Sequence, residues 1–187
     1  MILFMGLEMQ TRKAPVIWLS GMSGSGKSTL SLDLKSYFRE KQYQVHVLDG
    51  DEIRGSDIEK LGFGYEDVLK NNCRIAELCN DLRDKYDAIV VPVISPYNDV
   101  RMIVRSMLAP NFHLIYLKSD IDSLRHRDPK GLYAAADNGL ITDLIGYSDV
   151  NPYDEPQNTE LVIETGNDTS IATSRKQLFD YINDVFL

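Results

Sequence analysis

Residues 21–28 read Gly-Met-Ser-Gly-Ser-Gly-Lys-Ser and satisfy the pattern G-x-x-x-x-G-K-[ST] at every position. With glycine near 7% of residues in ordinary proteins, a chance match in a chain of this length has odds of about 1%. The residue types suit one job. Glycines let the main chain curl until successive N–H groups point at phosphate oxygens. A helix beginning at Lys27 adds the positive end of its dipole. Lys27 is expected to reach the β and γ phosphates of a nucleoside triphosphate, and Ser28 to ligate Mg²⁺. Gly21, Ser23, Gly24, Ser25, Gly26, Lys27, Ser28 and Thr29 are therefore candidate ATP-binding residues.

A second constellation follows 22 residues after Lys27, at Asp49-Gly50-Asp51. Acids at the C-terminal end of a parallel strand beside a phosphate loop sit in the usual ligand crevice of such sheets. One carboxylate can orient Mg²⁺ through water, and one can accept a proton from an attacking hydroxyl. Asp-Gly is also a turn signal, so the tripeptide alone would carry little weight. Arg54, just beyond, is placed to hold an anionic acceptor with its planar fork. No Asn-Lys-x-Asp guanine reader and no transport-ATPase signature occurs, which leaves small-molecule phosphoryl transfer.

The elements that must position these residues alternate. Strand-like runs are expected at 15–20, 44–48, 87–94, 112–117 and 160–164. Helical periodicity is expected at 27–41, 66–84 and 98–108, and again near the C-terminus, where Ser174 with Gln177 suggests a capping box. This predicts an α/β fold with a parallel β-sheet flanked by helices. The stretch from about Arg127 to Asn158 is rich in Gly, Asp, Asn, Tyr and Pro and interrupts the alternation, as a lid segment over a binding site does.

Composition narrows the class. The chain has 187 residues, 43% hydrophobic and 26% charged, enough for one domain spanning 1–187 without disulfides or metals. The net charge of −8 argues against sequence-independent nucleic-acid binding. No apolar run approaches a membrane span. Met1–Gly6 is apolar but lacks the layout of a secretory signal, so a frayed terminus is expected there. The two cysteines, Cys73 and Cys79, fall six residues apart on one helix and cannot bridge; free thiols suit a cytoplasmic location. The three histidines show no metal-ligand spacing.

With these features assembled, the sequence resembles the adenylylsulfate (APS) kinase family over about 16–165. The likeness rests on GMSGSGKST (21–29), LDGDEIRG (48–55), LGFGYEDVLKNN (61–72), ISPYNDVR (94–101), RDPKGLY (127–133) and a looser NPYDEP (151–156). It implies a P-loop kinase fold and transfer of the ATP γ-phosphoryl to the 3′-hydroxyl of adenosine 5′-phosphosulfate, giving PAPS. The cofactors implied are ATP and Mg²⁺, and the partner is a small-molecule nucleotide acceptor; relatives are often dimers, so a homodimer is one expectation. The resemblance puts Asp51 near Mg²⁺ and the acceptor hydroxyl, Arg54 at the phosphate–sulfate end, Phe63 on the base and Asn71 in a hydrogen bond to the acceptor. It puts Ile94 and Ser95 in the acceptor pocket, with Ser95 a family phosphoserine site or intermediate. Lys130, with Arg127 beside it, comes from the lid to neutralise phosphate. Asp49 joins the substrate-binding set, and Leu144 stands where the family stacks a phenylalanine opposite Phe63.

The departures cluster on the acceptor side. Val68 and Cys73 occupy family arginine positions, Ala134 a lysine position, and the stretch before Pro152 is about two residues longer. ATP use is thus the firmer expectation. Two alternatives stay open: a 3′-hydroxyl kinase of a different 5′-modified nucleotide, such as cytidine diphosphoramidate, and a non-catalytic nucleotide-binding module.

Overall fold

A computed structural model describes residues 13–50, 53 and 62–187. Asp51, Arg54 and Met1–Gly6 lie outside the described residues. Five strands, β1 (Val16–Ser20), β2 (Val45–Val47), β3 (Ala88–Val93), β4 (Phe112–Lys118) and β5 (Leu161–Glu164), form one sheet in the order β2-β3-β1-β4-β5. Every pairing is parallel. The flanking helices are α1 (Lys27–Glu40), α2 (Tyr65–Leu82), α3 (Asn98–Leu108), α4 (Ile121–Arg127), α5 (Leu132–Asp137) and α6 (Ile171–Phe186).

Side chains alternate across the strands and so feed two cores. Ile17, Leu19, Val90 and Ile115 face α1 and α6, meeting Leu34, Phe38, Leu178 and Ile182. Val16, Trp18, Ile89 and Val91 face α2 and α3, meeting Ile75, Cys79, Val104 and Leu108. Both faces being covered explains why β1 and β3 read as unbroken apolar runs. Each fully buried aliphatic side chain contributes about 1.5–3 kcal/mol, so truncating Leu34 or Ile115 would loosen the strand ends that carry the site.

The register sets Ser20 of β1 opposite both Val93 of β3 and Tyr116 of β4. The loop after Ser20 therefore emerges between two strands leading away on either side, the crevice position for ligands in open parallel sheets. The expected helix at 27–41 and the strands all form. The C-terminal helix begins earlier than its expected cap. Ser170, not Ser174, accepts from Thr173 N, while Ser174 is buried and donates to Glu164 O. The hydroxyl at 174 thereby ties α6 to the end of β5 instead of capping.

The irregular stretch is partly ordered into α5. Asp128 turns the chain with φ +22 and accepts from the N–H groups of Tyr133 and Ala134. No described helix is long and apolar enough to cross a membrane.

Candidate active site

The loop between β1 and α1 has the shape its glycines predict. Gly24 and Gly26 take φ +77 and +95, left-handed values that side-chain-bearing residues rarely adopt. Gly21 is fixed by space: a Cβ there would lie 2.6 Å from Ser25 Oγ and 2.7 Å from the Leu117 carbonyl oxygen. Ser25 N donates to Met22 O, closing the turn. Lys27 Nζ donates to the Gly21 and Met22 carbonyls at 2.8 Å each, which lays the ammonium along the loop.

A cavity of about 900 Å³ opens over this loop. Ser23 to Thr29 line it, with Asp49, Ile94, Arg127 and Lys130. These are residues that the sequence singled out, and the fold brings them to one cavity. Arg127 is steadied by donating to Ser123 O and to Ser119 Oγ, so its position is built by α4 and the loop after β4. Leu30, Pro92, Val93 and Pro129 also line the cavity, and one further part of the wall, Thr165–Asn167 with Thr169, Ile171 and Ser174, was not foreseen. Its polar loop resembles any strand-end turn; only the rule that ligands gather at the carboxyl ends of adjacent parallel strands points to it.

The curled loop, the helix N-terminus and two cations, Arg127 and Lys130, in one cavity suit a triphosphate. For Mg²⁺, Ser28 and Asp49 border the same cavity, a hydroxyl and a carboxylate being the oxygen donors this hard cation takes. Among the described residues no group of three or more metal-ligating side chains occurs.

Beside this cavity lies a narrow cleft of about 20 Å³, roughly the space of a water molecule. Phe63, Val68, Asn71, Pro96 and Ile145 border it. Val93 and Ile94 line both spaces, so the end of β3 is their common wall. Gly50 reaches the cleft because a Cβ there would meet Val93 Cγ2 at 2.8 Å. The cleft is apolar except for Asn71, whose carboxamide is buried with neither its oxygen nor its nitrogen hydrogen-bonded among the described residues. A buried amide without partners costs roughly 1–3 kcal/mol, the signature of a group kept for a ligand. Phe63 is 45% exposed at the rim, on a loop whose Gly62 N–H is held by Asp67 Oδ2.

Ser95 sits immediately behind the common wall, buried, at φ +45, with its hydroxyl unpartnered among the described residues. Ser95, expected in the acceptor pocket, thus lines neither space, nor does Gly21 at the start of the phosphate loop; Leu144 falls elsewhere. Leu144 packs among Leu124 and Tyr133 and lines neither space; its neighbour Ile145 borders the cleft. Tyr133 anchors that cluster, because its buried hydroxyl donates to Ser23 O of the phosphate loop at 2.8 Å. Burial pushes its phenol up to about 12, so it stays a donor at neutral pH.

Comparison with known proteins agrees with this geometry. A family model described as adenylylsulphate kinase matches residues 13–164. The chain is 38% identical over 178 residues to the adenylyl-sulfate kinase of Bacillus pumilus, covering 95% of this chain and 89% of that one. It is 39% identical to the probable adenylyl-sulfate kinase of Bacillus subtilis, covering 91% and 85%. Its backbone is similar to that of the Mycobacterium tuberculosis APS kinase CysC in complex with AMPPNP and APS, with a TM-score of 0.80, 31% identity, and coverage of 91% and 98%.

Proposed function

The chain belongs to the adenylylsulphate kinase family, and from that premise we propose that it transfers the γ-phosphoryl of ATP to the 3′-hydroxyl of adenosine 5′-phosphosulfate, yielding PAPS and ADP. The observation that carries the reading is the common wall: one strand end, Val93–Ile94, borders both the phosphate-loop cavity and the cleft containing Asn71. Phosphoryl transfer needs the two substrates in line and little covalent help, so adjoining sites are the main requirement.

In this reading the main-chain N–H groups of 23–28 and the Lys27 ammonium hold the β and γ phosphates. Arg127 and Lys130 reach in from the segment 127–158, which serves as the lid. Ser28 would hold Mg²⁺ together with the acids at 49 and 51; the ion would neutralise charge on the phosphates. Asp51 accepts the proton of the 3′-hydroxyl, and Arg54 meets the sulfate end. Phe63 stacks on the acceptor base and Asn71 bonds its edge. The cleft must widen to admit a nucleotide, and Ile145, seated against Val68, Tyr97 and Val100, is the side chain that narrows it. A cytoplasmic location fits the free thiols of Cys73 and Cys79.

A second reading keeps the chemistry and changes the acceptor. Val68 borders the cleft where an arginine is expected, and Leu144 is drawn into the lid's own core. Both features favour a 3′-hydroxyl kinase of another 5′-modified nucleotide, such as cytidine diphosphoramidate. A coupled ADP-release assay decides. Turnover with APS at micromolar to low-millimolar KM supports the first reading, and turnover only with a pyrimidine acceptor supports the second. Nucleotide binding without turnover across the panel would leave a non-catalytic module and sink both.

A further inference from the structure

Ser95 ends the common wall in a left-handed conformation that a serine side chain does nothing to hold, since its own hydroxyl is unpartnered among the described residues. The neighbouring carbonyls do the holding. Ile94 O accepts from Ser20 Oγ at 2.7 Å, and Ser95 O accepts from Arg101 Nη1 at 2.5 Å. Ser20 ends β1, the strand that delivers the phosphate loop, and its hydroxyl also meets the buried Tyr153 hydroxyl at 2.9 Å.

Arg101 is an unusual residue to find there. It is 2% exposed, and no carboxylate lies within ion-pair distance among the described residues. Its guanidinium instead spreads over neutral acceptors from three segments. Nη1 takes the Ser95 carbonyl; Nη2 takes Asn98 Oδ1 at 2.6 Å and the Asp154 carbonyl at 2.8 Å. The ring of Tyr153 lies 5.6 Å away, beneath the cation, while Nε is buried without a partner among the described residues. Asp154 in turn donates its N–H to Pro96 O and accepts from Asn98 N through Oδ2. Burial pulls the Arg101 guanidinium down, and the Asp154 and Asp99 carboxylates offset this only from beyond ion-pair distance. A buried cation without a direct ion pair is a poor way to gain stability, because an apolar side chain of similar length avoids its desolvation. The arrangement makes sense as geometry: a rigid fork can hold several carbonyls at fixed angles where a flexible ammonium cannot.

We infer that Arg101 is a positioning residue for phosphoryl transfer: by gripping the Ser95 and Asp154 carbonyls together it fixes the left-handed turn behind Ile94, and so the wall across which acceptor oxygen and γ-phosphorus must line up. Arg101 lines neither cavity, so its effect travels through Ser95 and the end of the lid segment. The inference rests on the proposed kinase reading.

The test compares Arg101→Lys and Arg101→Met with the unaltered chain. Calorimetry with ADP counts nucleotide sites and gives their Kd, and ADP release with APS gives kcat per counted site and the acceptor KM. Both variants are expected to keep ADP affinity within about twofold while kcat per site falls on the order of 10²-fold, the cost of a misplaced reacting pair. A double-mutant cycle adds a second readout. Glycine takes the left-handed conformation without strain, so Arg101→Lys made on a Ser95→Gly background should cost less than about tenfold, whatever Ser95→Gly costs alone. Should the arginine variants fail to fold, Ser95→Val, whose branched side chain resists positive φ, must give the same loss of kcat with ADP affinity kept. The inference is overturned if kcat per site in a folded variant equals that of the unaltered chain, if lost activity merely tracks lost nucleotide sites, or if the two losses in the cycle multiply independently. Failure of the unaltered chain to turn over any nucleotide acceptor would instead remove the reading beneath it.

Discussion

The donor cavity and the acceptor cleft share a wall but are built from different material. The donor side is main chain: two left-handed glycines, a strand end and a helix start place N–H groups within one short stretch of sequence. The acceptor side is side chain, drawn from 63–71, 93–96 and 145 and closed by apolar contacts. Backbone sites tolerate few substitutions because the turn dictates the residues. Side-chain sites can exchange one residue at a time and keep the fold, as Val68 shows by packing with Tyr97 and Val100 where an arginine was expected.

The sharpest break in this comparison is on the donor side. Replacing Lys27 with alanine is expected to lower kcat by on the order of 10³-fold or more, since the charge it opposes develops in a water-poor site. The fold should survive, because Lys27 belongs to neither of the two cores that flank the sheet. Near-normal ADP release by a folded Lys27→Ala protein would refute its role.

On the acceptor side the effects should be smaller and should separate from stability. Phe63→Ala removes a half-exposed ring, so melting is expected to stay within a degree or two while acceptor KM rises about 5- to 150-fold, the range of a lost stack worth roughly 1–3 kcal/mol. Asn71→Leu sharpens the contrast. It removes a buried amide that has no partner among the described residues, so stability is expected to hold or rise, while acceptor KM climbs about tenfold for a lost hydrogen bond. A drop in melting temperature with unchanged KM would show Asn71 to be structural and would weaken the cleft as the acceptor site.

The same difference in material explains what was legible in the sequence. The phosphate loop, the strand alternation and Asp49-Gly50 were readable because spacing alone determines them. The cleft was readable only in part. Phe63, Asn71 and Ile94 reach it, yet in an irregular segment no periodicity says whether residue 144 or 145 points inward, and the structure turns Ile145 to the cleft and Leu144 to Tyr133. Arg101, Tyr133 and Tyr153 fall inside the motifs 94–101, 127–133 and 151–156, but nothing in those motifs says what each side chain holds. Their work is to reach residues 6, 110 and 133 positions away along the chain, and one-dimensional spacing does not encode such contacts.

The two tyrosines put the comparison to its finest test, because each fastens one end of the 127–158 segment to β1 or its loop. Tyr133 holds Ser23 O on the donor side and Tyr153 meets Ser20 Oγ behind the acceptor wall. Burial raises both phenols, Tyr133 to about 12. A phenol whose folded pKa lies above its unfolded value near 10 contributes stability that is complete below pH 10 and lost as pH climbs through the folded value. Melting temperature should therefore show no dependence on these groups between pH 7 and 9 and should fall between pH 10 and 12. Tyr133→Phe is expected to cost about 1–2 kcal/mol at pH 8, where Ser23 O loses its donor, and to make the alkaline fall shallower. Tyr153→Phe should flatten the alkaline fall as well, and raise acceptor KM more than it weakens ADP binding, the reverse of Tyr133→Phe. Identical shifts in both substrates for both variants would mean that the segment 127–158 acts on the two sites as one rigid piece.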